Sequence, residues 1–300
     1  MRIGIDNSVF SKHRTVQIKK QIFTYWHQGF EQAPPVVNLC VRRMQNCNPD
    51  WEVYLLDQSN IHDYIPALDI PAPILGKMSL AARSDLLRLK LLLIHGGVWM
   101  DPTVYCAKPL DVWLNKNMKA GLFMFQNPGP DRLVSSWFIA VDPEHVLLQA
   151  VQLRLDRYWK SAKFRNLGRD YSKFEGYMFR LINRRKEFTR VWFTWVFTRL
   201  FPVQPYFFFH YCIYDQIRAS RRLFDIWRTM PVVDAGPLIS IQRYGLNSPI
   251  SERIRKSIDE CFLPVFKLSW KQAAEGSAPD TVFSYLSRHS EIGAGEKVHN

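Results

Sequence analysis

Ser84-Asp85-Leu86-Leu87-Arg88 is succeeded, one helix length on, by Gly96-Gly97-Val98-Trp99-Met100-Asp101-Pro102-Thr103. Asp85 and Arg88 stand three residues apart, so on a helix they share one face. Taken alone, that spacing also describes a surface ion pair, which is worth little. The segment Gly96–Asp101 weighs toward chemistry. The double glycine closes the helix, because glycine accepts the left-handed geometry of a helix end. Val98–Met100 then runs as a short strand that delivers the Asp101 carboxylate at its C-terminal end. In open α/β sheets, ligands bind in the crevice beyond the carboxyl ends of the strands. Two carboxylates and a guanidinium are thus brought toward one crevice.

The elements that must hold these residues can be read from local patterns. After a polar arm, residues 1–20, Gln21–Trp26 reads as a short strand ending in the loop Trp26-His27-Gln28-Gly29-Phe30. Ala33-Pro34-Pro35-Val36 starts a helix, proline being tolerated in a first turn, and the helix runs to about Cys47, before Asn48-Pro49-Asp50. Trp51–Leu56 has the alternation and the aromatic and β-branched content of a strand. This strand–helix–strand spacing suits a parallel crossover. Ser79 caps the next helix, Leu80–His95, on which Leu86, Leu87, Leu89, Leu93 and Ile94 form an apolar stripe. Further strands are expected at Gly121–Gln126 and Trp137–Val141, then a helix from Asp142-Pro143-Glu144 to about Lys160. Past Phe224 the pattern suggests short strands and turns, with a closing strand at Val265–Ser269. Residues 273–300 read as a short helix and a loose tail. The expected class is α/β.

At 300 residues the chain suits one large α/β domain or two small ones, and it can build its core without disulfides. Its five cysteines form no CxxC pair, and an odd number argues against a closed disulfide framework. Reduced thiols in a reducing compartment are expected. The first 20 residues lack a signal-peptide core, and the longest aromatic run, Val191–Phe209, is broken by Arg199, Pro202 and Pro205. A formal charge of +13 suggests nucleic acid, anionic lipid or phosphate-bearing substrates as partners. No nucleic-acid motif is visible. Ten Trp within a 14% aromatic content can stack on sugars and bases or fill the core.

Several motifs, in order and spacing, resemble the capsular polysaccharide synthesis proteins related to glycosyltransferase family 32. They are Tyr25-Trp26-His27-Gln28-Gly29-Phe30, Ala33-Pro34, Asn48-Pro49-Asp50, Ser84-Asp85-Leu86-Leu87-Arg88 and Gly96-Gly97-Val98-Trp99-Met100-Asp101. The resemblance covers residues 20–145 well and later thins to Ala235-Gly236-Pro237 and Lys267-Leu268-Ser269-Trp270. It implies a GT-A-like, Rossmann-type mixed sheet flanked by helices, a hexosyltransferase activity that retains anomeric configuration, and a nucleotide-sugar donor carrying UDP or GDP. Asp101 would be the first acid of a D-x-D that holds Mn²⁺ or Mg²⁺ against the donor diphosphate. Asp85 would accept hydrogen bonds from ribose or sugar hydroxyls, and Arg88 would face the donor sugar and phosphates, where a planar, always-charged fork suits them. These three are the catalytic candidates. Trp26 would lie by the base, with Tyr25 beside it. His27 is either a polar contact there or a locally packed side chain. Gly97 and Trp99 complete the donor side, and Lys267, Trp270 and Lys271 would form a loop over the phosphates or simply a basic loop. The second D-x-D acid is replaced by Thr103. Because Mg²⁺ keeps several waters and leans on substrate phosphates, one protein carboxylate can suffice, so metal dependence is left open.

One glycosyltransferase domain is expected over 1–272, its nucleotide-sugar half at 20–145, with a C-terminal helix and tail at 273–300. Residues 160–210 interleave Lys and Arg with Phe and Trp. They form either an interfacial element for an anionic membrane or a helical insert with a solvated basic face. A lipid-linked saccharide acceptor would place the protein in the cytoplasm, peripherally on the inner face of the plasma membrane. Ser135, Ser136, Trp137, His210 and Asp215 are read as structural before acceptor-side. The competing readings are a non-enzymatic basic binding protein, an inactive transferase-like scaffold, and a metal-dependent phosphoesterase. The last is disfavoured by the lack of a two-metal cluster of acids and histidines.

Overall fold

The computed structural model describes residues 18–161, 172–200, 204–272 and 278–291. Its centre is a five-stranded sheet in the order β2-β1-β3-β6-β5, built from β1 (Gln21–Tyr25), β2 (Glu52–Leu56), β3 (Gly97–Met100), β5 (Leu122–Gly129) and β6 (Arg132–Val141). Strand β4 (Val104–Cys106) leaves that sheet and pairs with β7 (Val265–Lys267). β1 runs parallel to β2 and to β3, while β6 runs antiparallel to β3 and β5. The protein is therefore α/β with a mixed sheet flanked by helices.

The helices are α1 (Pro35–Cys47), α2 (Ala72–Lys77), α3 (Leu80–His95), α4 (Leu110–Trp113), α5 (Val146–Ser161), α6 (Lys173–Ile182), α7 (Phe208–Ala219), α8 (Arg221–Thr229), α9 (Ser240–Tyr244), α10 (Glu252–Asp259) and α11 (Val282–Glu291). α3 starts where Ser79 Oγ accepts the Ala82 N–H, at 3.2 Å. It ends at Gly96, whose φ of 68° only glycine adopts freely. Its burial is broader than the expected stripe. Ala82, Leu91 and Leu92 are buried with Leu86, Leu87 and Leu89, whereas Ile94 is exposed. The cause is two-sided cover, since the sheet lies against α3 on one side and α5 on another. β3 is buried along its whole length, which explains its unbroken apolar reading. Gly97 has φ 83°, and a Cβ there would come within 2.8 Å of the Gln21 carbonyl oxygen, so β1 and β3 can meet only over a glycine.

Several expectations are corrected. β5 and β6 extend past their predicted ends to form a long hairpin turning at Pro130–Asp131, whose register slips on either side of Gln126, with Asn127 at φ 53° inside β5. α5 begins at Val146, because Glu144, just before it, takes a φ of 58°. Past Phe224 the chain is mainly helical. α8 and α10 are capped by Ser220 and Ser251, and their apolar side chains recur at helical spacing. The closing strand is β7, and it closes the small sheet rather than the large one. The short helix expected within 273–300 is α11, and the expected tail, 292–300, lies outside the described residues. Val282, Tyr285 and Leu286 share a second core with Val36 and Cys40 of α1, Tyr105, Phe266 and Leu268. Arg43 Nε donates to the Cys106 carbonyl at 3.0 Å, and Asn46 Nδ2 to the Ser290 carbonyl at 3.0 Å, tying α1 to β4 and α11.

The described part of residues 160–210 is helical: α6, a 3-10 segment Lys186–Phe193 and a π-helical turn Val196–Leu200. Ile182, Trp192 and Phe193 anchor it in the main core. Residues 162–171 and 201–203 of the expected insert lie outside the described residues. The five cysteines are all free. Among the described residues no helix is long and apolar enough to cross a membrane.

Candidate active site

Because β1, β2 and β3 run parallel, their carboxyl ends share one edge of the sheet. Trp26 succeeds β1 there and Asp101 succeeds β3. The Asp101 N–H donates to the Trp137 carbonyl at 2.8 Å, and the Val104 N–H to the Asp101 carbonyl at 2.9 Å, so Asp101-Pro102-Thr103 is a fixed turn between β3 and β4. The β4–β7 ladder sets Lys267 opposite Val104, and the Leu268 N–H bonds the Thr103 carbonyl at 2.8 Å. A lysine from the far end of the chain thereby arrives beside the acid turn.

Arg88 sits at the middle of the cluster. Nη1 donates to the Ser136 carbonyl at 2.6 Å and lies 3.3 Å from Asp85 Oδ1; Nη2 lies 3.4 Å from Asp101 Oδ1 and 3.2 Å from Ser84 Oγ. Its guanidinium also rests over the Trp99 ring, 4.9 Å from the centroid, in a cation–π arrangement. Trp99 is fully buried and donates Nε1–H to Asp101 Oδ1 at 2.9 Å. This is the buried form of the Asp85–Arg88 pair, with the two residues 7% and 5% exposed. Burial pushes the Asp85 carboxyl up to about 7; Arg88 opposes that and the Asp101 charge adds to it. One arginine shared by two acids and a carbonyl does not fully offset the loss of water around Asp85.

Lys267 donates to Thr103 Oγ1 and, at 3.3 Å, to the Leu268 carbonyl, with its Nζ 3.7 Å from Asp101 Oδ2. Burial lowers its pKa from the usual ammonium range, against the pull of Asp101. The position that departs from D-x-D thus serves as a hydrogen-bond acceptor for a cation.

These groups open on a cavity of about 470 Å³, a size typical of small-molecule sites. Asp85, Arg88, Asp101, Lys267 and Trp270 line it, together with Ser135, Ser136, Trp137 and His210. Sequence reasoning missed Arg132, which also lines it, stacked 3.9 Å above the Phe207 ring and 3.2 Å from Asp131. Nothing local marks Arg132 as a site residue, for its place depends on β6 pairing with β3 and packing on α7, which carries it to Phe207. Ser135 Oγ bonds the Phe125 carbonyl at 3.0 Å. His210 is held neutral by burial and by Arg132 and Arg88, and its Nδ1 has no partner among the described residues.

Other predicted residues lie elsewhere. Tyr25 and His27, joined by a 2.9 Å hydrogen bond, line a separate pocket of about 260 Å³ with Arg83 and Leu87, on another side of α3. Trp26 meets Trp270 edge-on at 5.9 Å, which brings the N-terminal and C-terminal loops together, and exposed Lys271 lies 5.9 Å over the Trp270 ring. Gly97, at the start of β3, packs on Gln21, away from the Asp101 end. Asp215 is clamped by Arg154 at 3.2 Å and Arg190 at 2.9 Å, outside the cavity.

The residues at Asp101 do not fit a divalent ion. Mg²⁺ takes six oxygens, most of which water and donor phosphates can supply, so the protein's part is a carboxylate oxygen free of other cations. Here Asp101 Oδ1 already meets Trp99 and Arg88, Oδ2 faces Lys267, and the Thr103 hydroxyl accepts from that lysine. Among the described residues no three His, Cys, Asp or Glu side chains group to hold a metal. An ion on Asp101 would stand close to two cations, and each pair of unit charges 4 Å apart is worth about 4 kcal/mol at an effective dielectric near 20.

Known proteins of similar sequence are sugar transferases. Two curated relatives are O-glycosyltransferases: braB of Annulohypoxylon truncatum, 26% identical over 144 residues, and PaGT of Phomopsis amygdali, 23% identical over 153 residues. The matches cover 40% and 45% of this chain, which spans only 33% and 38% of those proteins. A solved structure, the PaToxG glycosyltransferase, aligns over 87% of each chain at 14% identity with a TM-score of 0.38, too loose a likeness to argue from. The profile described as capsular polysaccharide synthesis protein matches residues 1–196. That stretch contains α3, the acid turn and the five strands of the large sheet, and the chain belongs to the capsular polysaccharide synthesis protein family.

Proposed function

We propose that the protein is a glycosyltransferase that moves a hexose from a UDP- or GDP-linked donor to a capsular or exopolysaccharide precursor, with retention of configuration. The observation that carries this reading is the convergence of Arg88, Lys267 and Asp101 on one cavity at the carboxyl end of β3. When the bond from the anomeric carbon to the phosphate oxygen breaks, its electron pair goes to the diphosphate. Lys267 and Arg132 stand in the cavity where such charge needs neutralising, and fixed cations there stabilise the transition state without reorganising. Asp101 keeps Arg88 and Lys267 in register, and Trp270 and Trp26 offer aromatic faces to the donor.

In this reading the acceptor is lipid-linked and the protein works at the cytoplasmic face of the plasma membrane. Support comes from the insert, where Phe174 and Trp195 are each 64% exposed among the exposed cations Lys173, Arg180, Arg184, Arg185 and Arg199. That composition suits an interface of anionic headgroups. The same surface favours a second reading, a non-catalytic membrane-binding component of polysaccharide assembly.

Purified protein incubated with UDP- and GDP-sugars, with and without a lipid-linked acceptor extract, decides between them. Nucleotide release from one donor is expected, falling at least about a hundredfold in Asp101→Ala, as when one aligned electrostatic group is lost. No release and no donor binding would leave the second reading. In the same preparation, sedimentation with phosphatidylglycerol vesicles is expected and should weaken with salt. Failure to sediment removes the membrane element and leaves the transfer.

A further inference from the structure

Resting on the transferase reading, we propose that His210, on the α7 wall of the cavity, hydrogen-bonds a hydroxyl of the bound saccharide and so helps to decide which sugar the site accepts.

His210 stands in the first turn of α7. The rings of Phe207 and Phe209 cross its own at near right angles, with centroids 5.3 and 6.2 Å away. A packing role alone would be served there by a third phenylalanine. The imidazole instead carries two polar atoms into a place that gives them no partner. The residue is 7% exposed, and neither ring nitrogen is hydrogen-bonded among the described residues. Buried polar groups in native folds are as a rule paired, so an unpaired one points to a group still to arrive. Nδ1 is enclosed, which leaves Nε2 as the nitrogen through which the ring reaches the cavity it lines.

The surroundings of His210 select the ligand group. Arg132 and Arg88 add to burial in keeping the ring neutral. A neutral imidazole has one N–H and one lone pair, so Nε2 either donates or accepts. A hydroxyl does both, and therefore matches either tautomer. An ionised phosphate oxygen only accepts, and Arg132 and Lys267 in the same cavity suit it better than a neutral ring. A cationic ligand is disfavoured beside two arginines. The saccharide is what remains, and hydroxyls are its polar groups. A site that hydrogen-bonds a substrate hydroxyl rejects an analogue lacking it far more strongly than an apolar wall would, because its own polar group is then left unpaired. Donor and acceptor sugars share this chemistry, and the experiment separates them.

His210→Phe removes both nitrogens and keeps an aromatic ring, while His210→Gln keeps one amide donor and one acceptor. The full chain and both variants are titrated calorimetrically with UDP, UDP-glucose, UDP-galactose, GDP and GDP-mannose, and nucleotide release is followed at rising amounts of lipid-linked acceptor extract. Circular dichroism checks that each variant is folded. For a donor-sugar hydroxyl, His210→Phe weakens the nucleotide-sugar that binds by about tenfold, leaves its bare nucleotide within about threefold, and His210→Gln recovers most of the loss. For an acceptor hydroxyl, donor binding holds and the extract needed for half-maximal release rises about tenfold instead. If His210→Phe changes neither, or weakens the bare nucleotide as much as the nucleotide-sugar, the proposal is overturned and the transferase reading stands. If His210→Phe does not fold, nitrogen-15 spectra of the histidine-labelled wild type decide, with the His210 signal assigned by its loss in His210→Gln. That signal is expected to move with nucleotide-sugar or with extract and not with bare nucleotide; one that moves with none of them, or equally with the bare nucleotide, overturns the proposal. A wild type that binds no nucleotide-sugar and releases no nucleotide overturns the two together.

Discussion

Arg88→Ala is expected to lower the thermal midpoint by roughly 10 °C and to reduce donor turnover about a thousandfold. The stability loss comes from what the arginine holds. Asp85 and Asp101 lie 3.3 and 3.4 Å from the guanidinium, and the Ser136 carbonyl accepts its shortest bond. Removing one partner of a buried ion pair costs about 3–5 kcal/mol, since the other charge stays buried without its counter-ion. In a chain of this size each kcal/mol moves the midpoint by about 2–4 °C. The activity loss has a different origin: without Arg88 the Asp101 carboxylate has only Trp99 and Lys267 to fix it, and Lys267 is drawn toward the acid and away from a ligand. Arg88→Lys separates the two effects. It keeps a positive charge but cannot reach Ser136, Asp85 and Asp101 together. It should recover part of the midpoint and little of the turnover, and calorimetry with a nucleotide-release assay measures both. A variant as stable and active as the wild type would mean that the cluster is incidental.

Asp85 gives the second large effect, a pH-dependent one. Its carboxyl is pushed up to about 7 by burial, from 3.8. Between those values the folded protein binds a proton that the unfolded chain has released, so stability falls as pH rises. The contribution is fully present below about pH 4, where both states are protonated, and is lost as pH climbs through about 7. At about 1.4 kcal/mol per unit, Asp85 costs roughly 3 kcal/mol more at pH 8 than at pH 5. Burial lowers the pKa of His145, His210 and His289, which act in the opposite sense below about pH 6.5. The quantity to read is therefore the difference between Asp85→Asn and the wild type. Denaturant melts at pH 5, 6, 7 and 8 should show the variant gaining relative stability at each step. A constant difference would place the Asp85 carboxyl near its ordinary range.

How far the fold is legible depends on how local each cause is. Ser79 and Gly96 bracket α3 through bonds to neighbours within a turn, so its ends are readable. The parallel pairing of β1 and β2 accords with the strand–helix–strand spacing, whereas the pairing of β3 with β1 is not signalled locally. α8 and α10 read as strands and turns although their caps, Ser220 and Ser251, are in view. Their apolar residues do recur at helical spacing, Leu223, Phe224, Ile226 and Trp227 in α8 and Ile254 and Ile258 in α10, but each helix is only about two turns long, too short a window for the period to stand out. The full length of β5 and β6 is hidden because Asn127, Pro128 and Gly129 look like a turn and are held in a slipped hairpin instead.

The sequence by itself determined the α/β class, the helix that carries Asp85 and Arg88 on one face, and an acid at the carboxyl end of β3. Capping, helical spacing and glycine geometry act over a few residues and need no tertiary context. Only the tertiary structure decided what those groups meet. Pairing of β4 with β7 brought Lys267 onto Thr103 across 164 residues of chain. Ser136 of β6 and Trp99 and Asp101 at the end of β3 close on Arg88 and turn a helix-surface pair into the shared counter-ion of two acids, and burial raises the Asp85 carboxyl. The physical reason is that burial and strand pairing are non-local. The charge a group carries, and the ion it can hold, depend on neighbours that no window of sequence contains.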